Sequence, residues 1–150
     1  MKIKTINTRE YVSALRELTA QGEEVCLPVA GWSMSPFLVH ERDVICFSRP
    51  AGDLKKGDMV FYQRRSGQYV MHRICKVKKE GYYLVGDAQQ EIEGPIEREC
   101  IFAVVLRVRR KGKWIGAEDF WWKFFAVVWI RVIPFRRFIM WIYSRIRSRA

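Results

Sequence analysis

Three polar side chains of this 150-residue sequence sit at the ends of apolar segments and between them supply the parts of an acyl-transfer site. They are Ser33 in "GWSMSPFL", His72 in "YVMHRI" and Asp87 in "LVGDAQ". A serine hydroxyl is a weak nucleophile until a base takes its proton, and neutral imidazole suits that task near pH 7. A carboxylate then fixes the imidazole tautomer and stabilises the imidazolium that forms during reaction. Each residue also has an ordinary explanation. A serine shortly before Pro36 can cap a turn, and a histidine inside a strand can be a satisfied structural residue. His40 is the competing base, but "VHERD" reads as a polar, solvated connection, which ranks it below His72.

The elements that must position these groups are mostly strands. From Glu24 to about Ile115 the chain divides into "EVCLPVA", "DVICFS", "DMVFYQR", "QYVMHRICKVKK", "GYYLVGD" and "CIFAVVLRVRR", short runs rich in Val, Ile, Phe and Tyr. "RPAGDLKKG", "RSG", "KKEG" and "GPIE" separate them with turn chemistry, and "QRRSGQYV" reads as a hairpin. Ahead of the strands, Thr8 is a plausible N-cap for an amphipathic helix with Tyr11, Leu15 and Leu18 on one face and Gly22 as its stop. The expected fold is mainly β, divided into an N-terminal helix over 1–22, a compact β domain over 23–116 and an amphipathic helical tail over 117–150.

Charge separates that tail from the rest. Residues 1–106 hold 15 Lys+Arg and 14 Asp+Glu, whereas residues 107–150 hold 12 and 2, so nearly all of the +11 net charge lies at the C-terminal end. Trp121, Trp122, Trp129 and Trp141 are interleaved with those cations. The longest uncharged apolar run, Phe124 to Ile130, is far short of the ~20 residues a membrane-spanning helix needs. Lys123, Arg131, Arg137, Arg145 and Arg149 fall on one side of a helical wheel, and Pro134 should kink or split the helix. A broad apolar face, a basic stripe and flanking tryptophans imply a helix lying in the plane of an anionic membrane, through residues 120–149. Nucleic acid is not an expected partner, because the wide apolar face exceeds what phosphate binding requires. The opening "MKIKTINTREYV" has no apolar run of the length an export signal needs, which places the expected location on the cytoplasmic face of a membrane. Cys26, Cys46, Cys75 and Cys100 contain no CxxC pair and have only two histidines to join them, so no metal is expected and four reduced thiols are the default.

Taken together, four boxes in register resemble the signal peptidase and SOS-repressor group of serine peptidases. "GWSMSPFL" is similar to that group's S-M-x-P nucleophile box, "LKKGDMVFYQR" to its K-x-G-D-I-V-x-F strand, "YVMHRI" to its H-R-V base box and "LVGDAQ" to its G-D-N box. The resemblance implies a signal-peptidase-like β domain in which Ser33 is the nucleophile, His72 the general base and Ser35 dispensable. A histidine base is similar to the archaeal and endoplasmic-reticulum branch. Asp87 matches the orienting acid, with Glu93 in "AQQEIEGP" as the alternative. Gly31 stands where many signal peptidases have an oxyanion-binding serine, which leaves backbone N–H groups, including that of Ser33, to hold the oxyanion. The implied activity is cleavage of a signal or leader peptide, or of a membrane-proximal segment, after small residues and without a cofactor. Substrate would lie extended beside an edge strand near Leu27 to Val29. The alternative is an inactive module of the same fold that recruits partners to a membrane. "VAG" at 29–31 lies too close to Ser33 to be cut by its own site.

Overall fold

Short runs rich in β-branched and aromatic residues pair into one antiparallel sheet at the centre of the fold. A computed structural model describes the backbone of residues 8–149 and the side chains of residues 13–149. The elements are α1 (Thr8–Ala20), β1 (Val25–Pro28), β2 (Val44–Ser48), β3 (Met59–Gln63), β4 (Tyr69–Lys78), β5 (Gly81–Val85), β6 (Glu93–Ile96), β7 (Ile101–Arg110), β8 (Lys113–Ile115), α2 (Phe120–Lys123) and α3 (Arg136–Arg149). The sheet has the order β1-β2-β7-β3-β4-β5-β6, with β8 folded back on β7. The fold is therefore mainly β, with a helix at each end. The hairpin read from "QRRSGQYV" joins β3 to β4, closed by an N–H···O bond from Arg64 to the Gln68 carbonyl.

The β3–β4 register determines which residues share a face. Val60 lies opposite His72 and Tyr62 opposite Val70, so period-two alternation puts Val60, Tyr62, Val70, His72 and Ile74 on one side of the sheet. Val60, Tyr62 and Ile74 join Leu84 and Ile101 in one buried cluster. Met59, Phe61, Met71 and Arg73 lie on the other side. There Met59 joins the larger core of Met34, Phe37, Leu38, Ile45, Phe47, Ala103 and Val105. In α1 the expected stripe is only partly used: Leu15 is buried, Leu18 is 42% exposed, and the side chain of Tyr11 lies outside the described residues.

Three features depart from the sequence expectations. Cys26 and Cys46 are bonded as a disulfide rather than held as free thiols, because they are direct cross-strand partners in the β1–β2 ladder with Cα atoms 4.1 Å apart. Only Cys75, buried, and Cys100, half-buried, are free. Strands β6 and β8 were hidden in segments that read as turn or linker. Gly94 and Pro95 interrupt the strand signal of β6, and an edge strand is where a sheet tolerates proline.

The third concerns the tail. It is broken around Pro134, where a 3₁₀ turn over Ile133–Phe135 separates a π-helical stretch, Phe124–Trp129, from α3. Its first half is not an appendage, however: Phe125 and Trp129 belong to the main core, and Ile130 packs with Val85 and Cys75. Trp121, Phe138, Trp141 and Ile146 remain exposed. No helix is long and apolar enough to cross a membrane among the described residues. This division predicts unequal effects within one segment. Trp129→Ala should cost roughly 3–5 kcal/mol in urea unfolding, as expected for a buried aromatic, whereas Trp141→Ala should stay within about 0.5 kcal/mol.

Candidate active site

Ser33 occupies a tight loop between β1 and β2 whose shape is fixed by its neighbours. Met34, Phe37 and Leu38 are driven into the core, while Trp32 on the other side stays 61% exposed, so the serine falls on the boundary between them. Backbone bonds from Ser35 N–H to the Trp32 carbonyl and from Leu38 N–H to the Met34 carbonyl close the turn. The Asp43 carboxylate accepts from the amides of Val39 and Lys111 and closes the loop's far end. His40 is half-exposed, and it braces the loop: its Nδ1 accepts the Gly31 N–H at 2.8 Å while its Nε2 lies 3.4 Å from Glu41 Oε1. Gly31 has φ +86°, a left-handed conformation that L side chains resist, so an oxyanion-binding serine at this position would be strained. The Ser33 hydroxyl caps nothing. Among the described residues neither its Oγ nor its N–H is engaged by another protein group.

The 86–89 loop holds Ser33 from beneath. Ala88 N–H donates to the Ser33 carbonyl at 2.9 Å. Gly86 lies so close that a Cβ there would fall 2.6 Å from the same oxygen, so this approach excludes any side chain. The loop is itself fastened to the tail. Buried Arg136 donates from Nη1 to the Gly86 and Gln89 carbonyls at 2.8 and 2.9 Å, and the Trp129 indole donates to the Asp87 carbonyl at 2.7 Å.

His72 and Ser33 line one cavity of about 420 Å³. Its lining is mostly apolar, with Ile45, Phe47, Phe61 and Phe102, flanked by Leu27 of β1 with Val29–Gly31 just after it and by Gln68 with Tyr69–His72 at the start of β4. Both flanking segments present an unpaired strand edge: β1 pairs only with β2, and β4 pairs with β5 only from Arg73 onward. A second, more polar recess of about 690 Å³ shares Arg64, His72 and Gln89 with the first and is also lined by Arg137.

His72 is buried, and desolvation pushes its pKa down to about 4, against the attraction of Glu93. The imidazole is therefore neutral at pH 7. Its Nδ1 lies 3.2 Å from the Tyr62 hydroxyl, which donates to Glu93 Oε2 at 2.6 Å. Glu93 is in turn gripped by Arg64 Nε and Nη2, each within 3.1 Å. Burial acts to raise the Glu93 pKa, but the bonds from Arg64 and Tyr62 outweigh it and hold the carboxyl ionised below its ordinary value. His72 Nε2 has no protein partner among the described residues, and no buried polar side-chain atom there is left unsatisfied, so Nε2 keeps access to the cavity.

Asp87 does not join this network. Both of its oxygens are taken by Arg73, through Nε and Nη2 at 2.8 Å each, in a pair with no exposed side-chain surface. The reason is alternation: Arg73 follows His72 on β4 and points to the opposite face, taking its carboxylate with it. Of the two acids considered from sequence, Glu93 is the one brought toward His72. Tyr62 and Arg64 escaped the sequence reading, because only the β3–β4 register sets Tyr62 diagonal to His72. No metal-ligating cluster is needed to explain the site. Among the described residues the one grouping of suitable type, Glu24 with Cys26 and Cys46, contains the disulfide.

Comparison with known protein-family models, with curated proteins and with solved structures finds no match for this chain.

The depressed His72 pKa has a consequence for stability. Unfolded, the imidazole titrates near 6.5; folded, near 4, so the unfolded chain takes up the proton first. The stability that neutral His72 confers is complete above about pH 6.5 and declines as pH falls from there toward 4, by on the order of 3 kcal/mol. Urea unfolding at stepped pH should show this decline in the wild type and a smaller one in His72→Gln.

Proposed function

We propose that this chain is a serine endopeptidase of the signal-peptidase-like kind, acting on an extended leader or membrane-proximal peptide and cutting after small residues. The observation that carries the reading is the shared cavity: Ser33, whose hydroxyl is unengaged, and His72, whose Nε2 has no protein partner among the described residues, line the same mostly apolar cleft between two unpaired strand edges. A peptide laid there as a strand would gain main-chain hydrogen bonds from β1 or from the start of β4.

In such a site the Ser33 Oγ attacks the scissile carbonyl while its proton passes to His72 Nε2. The tetrahedral oxyanion is met by the free Ser33 N–H. Collapse breaks the C–N bond, the leaving amine takes the proton from Nε2, and water then hydrolyses the ester with His72 again as base. His72, uncharged at pH 7, is ready for the first of these transfers.

The exposed Phe120, Trp121, Phe135, Phe138, Trp141 and Ile146, set among Lys123, Arg131, Arg137, Arg145 and Arg149, support peripheral attachment to an anionic membrane surface. A Cys26–Cys46 bond persists where thiols are oxidised, and this weighs against the cytoplasmic face expected from the sequence.

The test is cleavage of a library of leader-like peptides by the full chain on anionic vesicles, read by mass spectrometry. Cuts after small residues should fall by at least about a thousandfold in both Ser33→Ala and His72→Ala, as removal of a nucleophile or its base requires. Cosedimentation should need anionic lipid and be lost in a Phe138→Asp, Trp141→Asp double variant. Absence of cuts, or cuts that survive both active-site substitutions, would replace the peptidase with a membrane-recruitment module of the same fold.

A further inference from the structure

We propose that Tyr62 is the positioning residue of His72: with Glu93 behind it, its hydroxyl selects the Nδ1–H tautomer and leaves the Nε2 lone pair facing the cleft. The argument is a count of hydrogens. A tyrosine hydroxyl has one, and an ionised carboxylate can only accept. Glu93 is held ionised by Arg64, and its Oε2 lies 2.6 Å from the Tyr62 oxygen, so that hydrogen belongs to Glu93. The same oxygen lies 3.2 Å from His72 Nδ1 and has only a lone pair left to offer, so Nδ1 must carry a proton. A neutral imidazole has one N–H, which makes Nε2 the base.

Position reinforces chemistry. Tyr62 is fully buried and lies diagonal to His72 across the β3–β4 ladder, a spacing within reach of an aromatic side chain. Glu93 is placed opposite Leu84 by the β5–β6 ladder, on the far side of the same face. As charge forms on His72 during proton transfer, Nδ1–H, the Tyr62 oxygen and the Glu93 carboxylate provide an aligned acceptor chain. Asp87, locked to Arg73, orients the loop under Ser33 rather than the imidazole.

The catalytic meaning of this arrangement rests on the peptidase reading, but the tautomer does not, and the experiment separates the two. The probe is the full-length ¹⁵N-labelled chain, with the His72 ring nitrogens observed by long-range ¹H–¹⁵N correlation at pH 7 and assigned with His72→Gln. Wild type should show protonated Nδ1 and unprotonated Nε2. Tyr62→Phe should lose that preference, and kcat/KM should fall by about 10²-fold, the lower end of what a positioned base supplies. Glu93→Ala, at a half-buried strand position, frees the Tyr62 hydroxyl to donate to Nδ1 and should turn the ring toward Nε2–H. Glu93→Gln, whose amide oxygen still accepts from Tyr62, should restore the wild-type tautomer, a rescue that a merely structural role would not produce. A wild-type ring protonated on Nε2, or a tautomer indifferent to Tyr62→Phe and Glu93→Ala, overturns the proposal. The expected tautomer in a wild-type chain that cuts nothing would sustain it and overturn the peptidase.

Discussion

Four stretches of chain converge on one ion pair that has no contact with water, Arg73 with Asp87. Removing two charges from solvent costs several kcal/mol per ion, and the pair persists only because its geometry is fully satisfied. Two parallel N–H···O bonds join it, Arg73 Nη1 donates to the Gly57 carbonyl at 3.0 Å, and the guanidinium lies over the Phe37 ring at 5.3 Å. Through those contacts β4, the turn before β3, the 86–89 loop and the Ser33 loop share one anchor. Removing either partner would leave an uncompensated buried charge, at about 3–5 kcal/mol. The position of Ser33 depends on this pair, because the same loop supplies the Ala88 N–H to its carbonyl.

Because successive side chains of β4 point to opposite faces, two electrostatic settings lie one residue apart. On one face Arg73 is a permanent cation with a permanent counter-ion, and its work is structural. On the other, His72 shares its face with Val60, Tyr62, Val70 and Ile74, and desolvation outweighs the pull of Glu93, so the resting ring is neutral. Tyr62 stands between His72 and the Glu93 carboxylate, which is itself balanced by Arg64, so the pull of Glu93 on the ring is indirect. The arrangement disfavours charge on the ring at rest and provides for it when a proton arrives.

Strands β1 to β5 and β7 were legible because each lies in a segment rich in apolar residues, most of them with many β-branched or aromatic side chains, set off by turn residues. β6 was not, since Gly94 and Pro95 erase that pattern, and β8 is too short to show one. Ser33, His72 and Glu93 could be named from residue type and order, yet the choice between Asp87 and Glu93 could not. It turns on the face of the sheet to which Arg73 points, and hence on register. Tyr62 was invisible for a related reason: in sequence it is one more aromatic residue in an apolar strand, and only the pairing of β3 with β4 sets its hydroxyl against an imidazole. The disulfide likewise needed the ladder, because a spacing of 20 residues does not reveal that Cys26 and Cys46 are cross-strand partners.

The tail shows how one composition can serve two ends. Arginines recur along it, but Arg136 alone among those after residue 110 is buried, pairing with three carbonyls and the Trp129 face rather than with a carboxylate. That choice suits a guanidinium, whose forked donors satisfy several carbonyls at once, and it stitches the tail to the 86–89 loop. Gln90 adds bonds from its side chain to the Ile133 and Pro134 carbonyls. Beyond this knot α3 leaves one face, Ile139 and Met140, on the core and turns Phe138, Trp141 and Ile146 outward. No slack chain separates the knot from α3, which begins at Arg136 itself. Whatever surface the outward face of α3 meets is thereby held at a fixed orientation to Ser33 and His72. The recess lined by Gln89 and Arg137 adjoins the first turn of α3 and so shares that orientation.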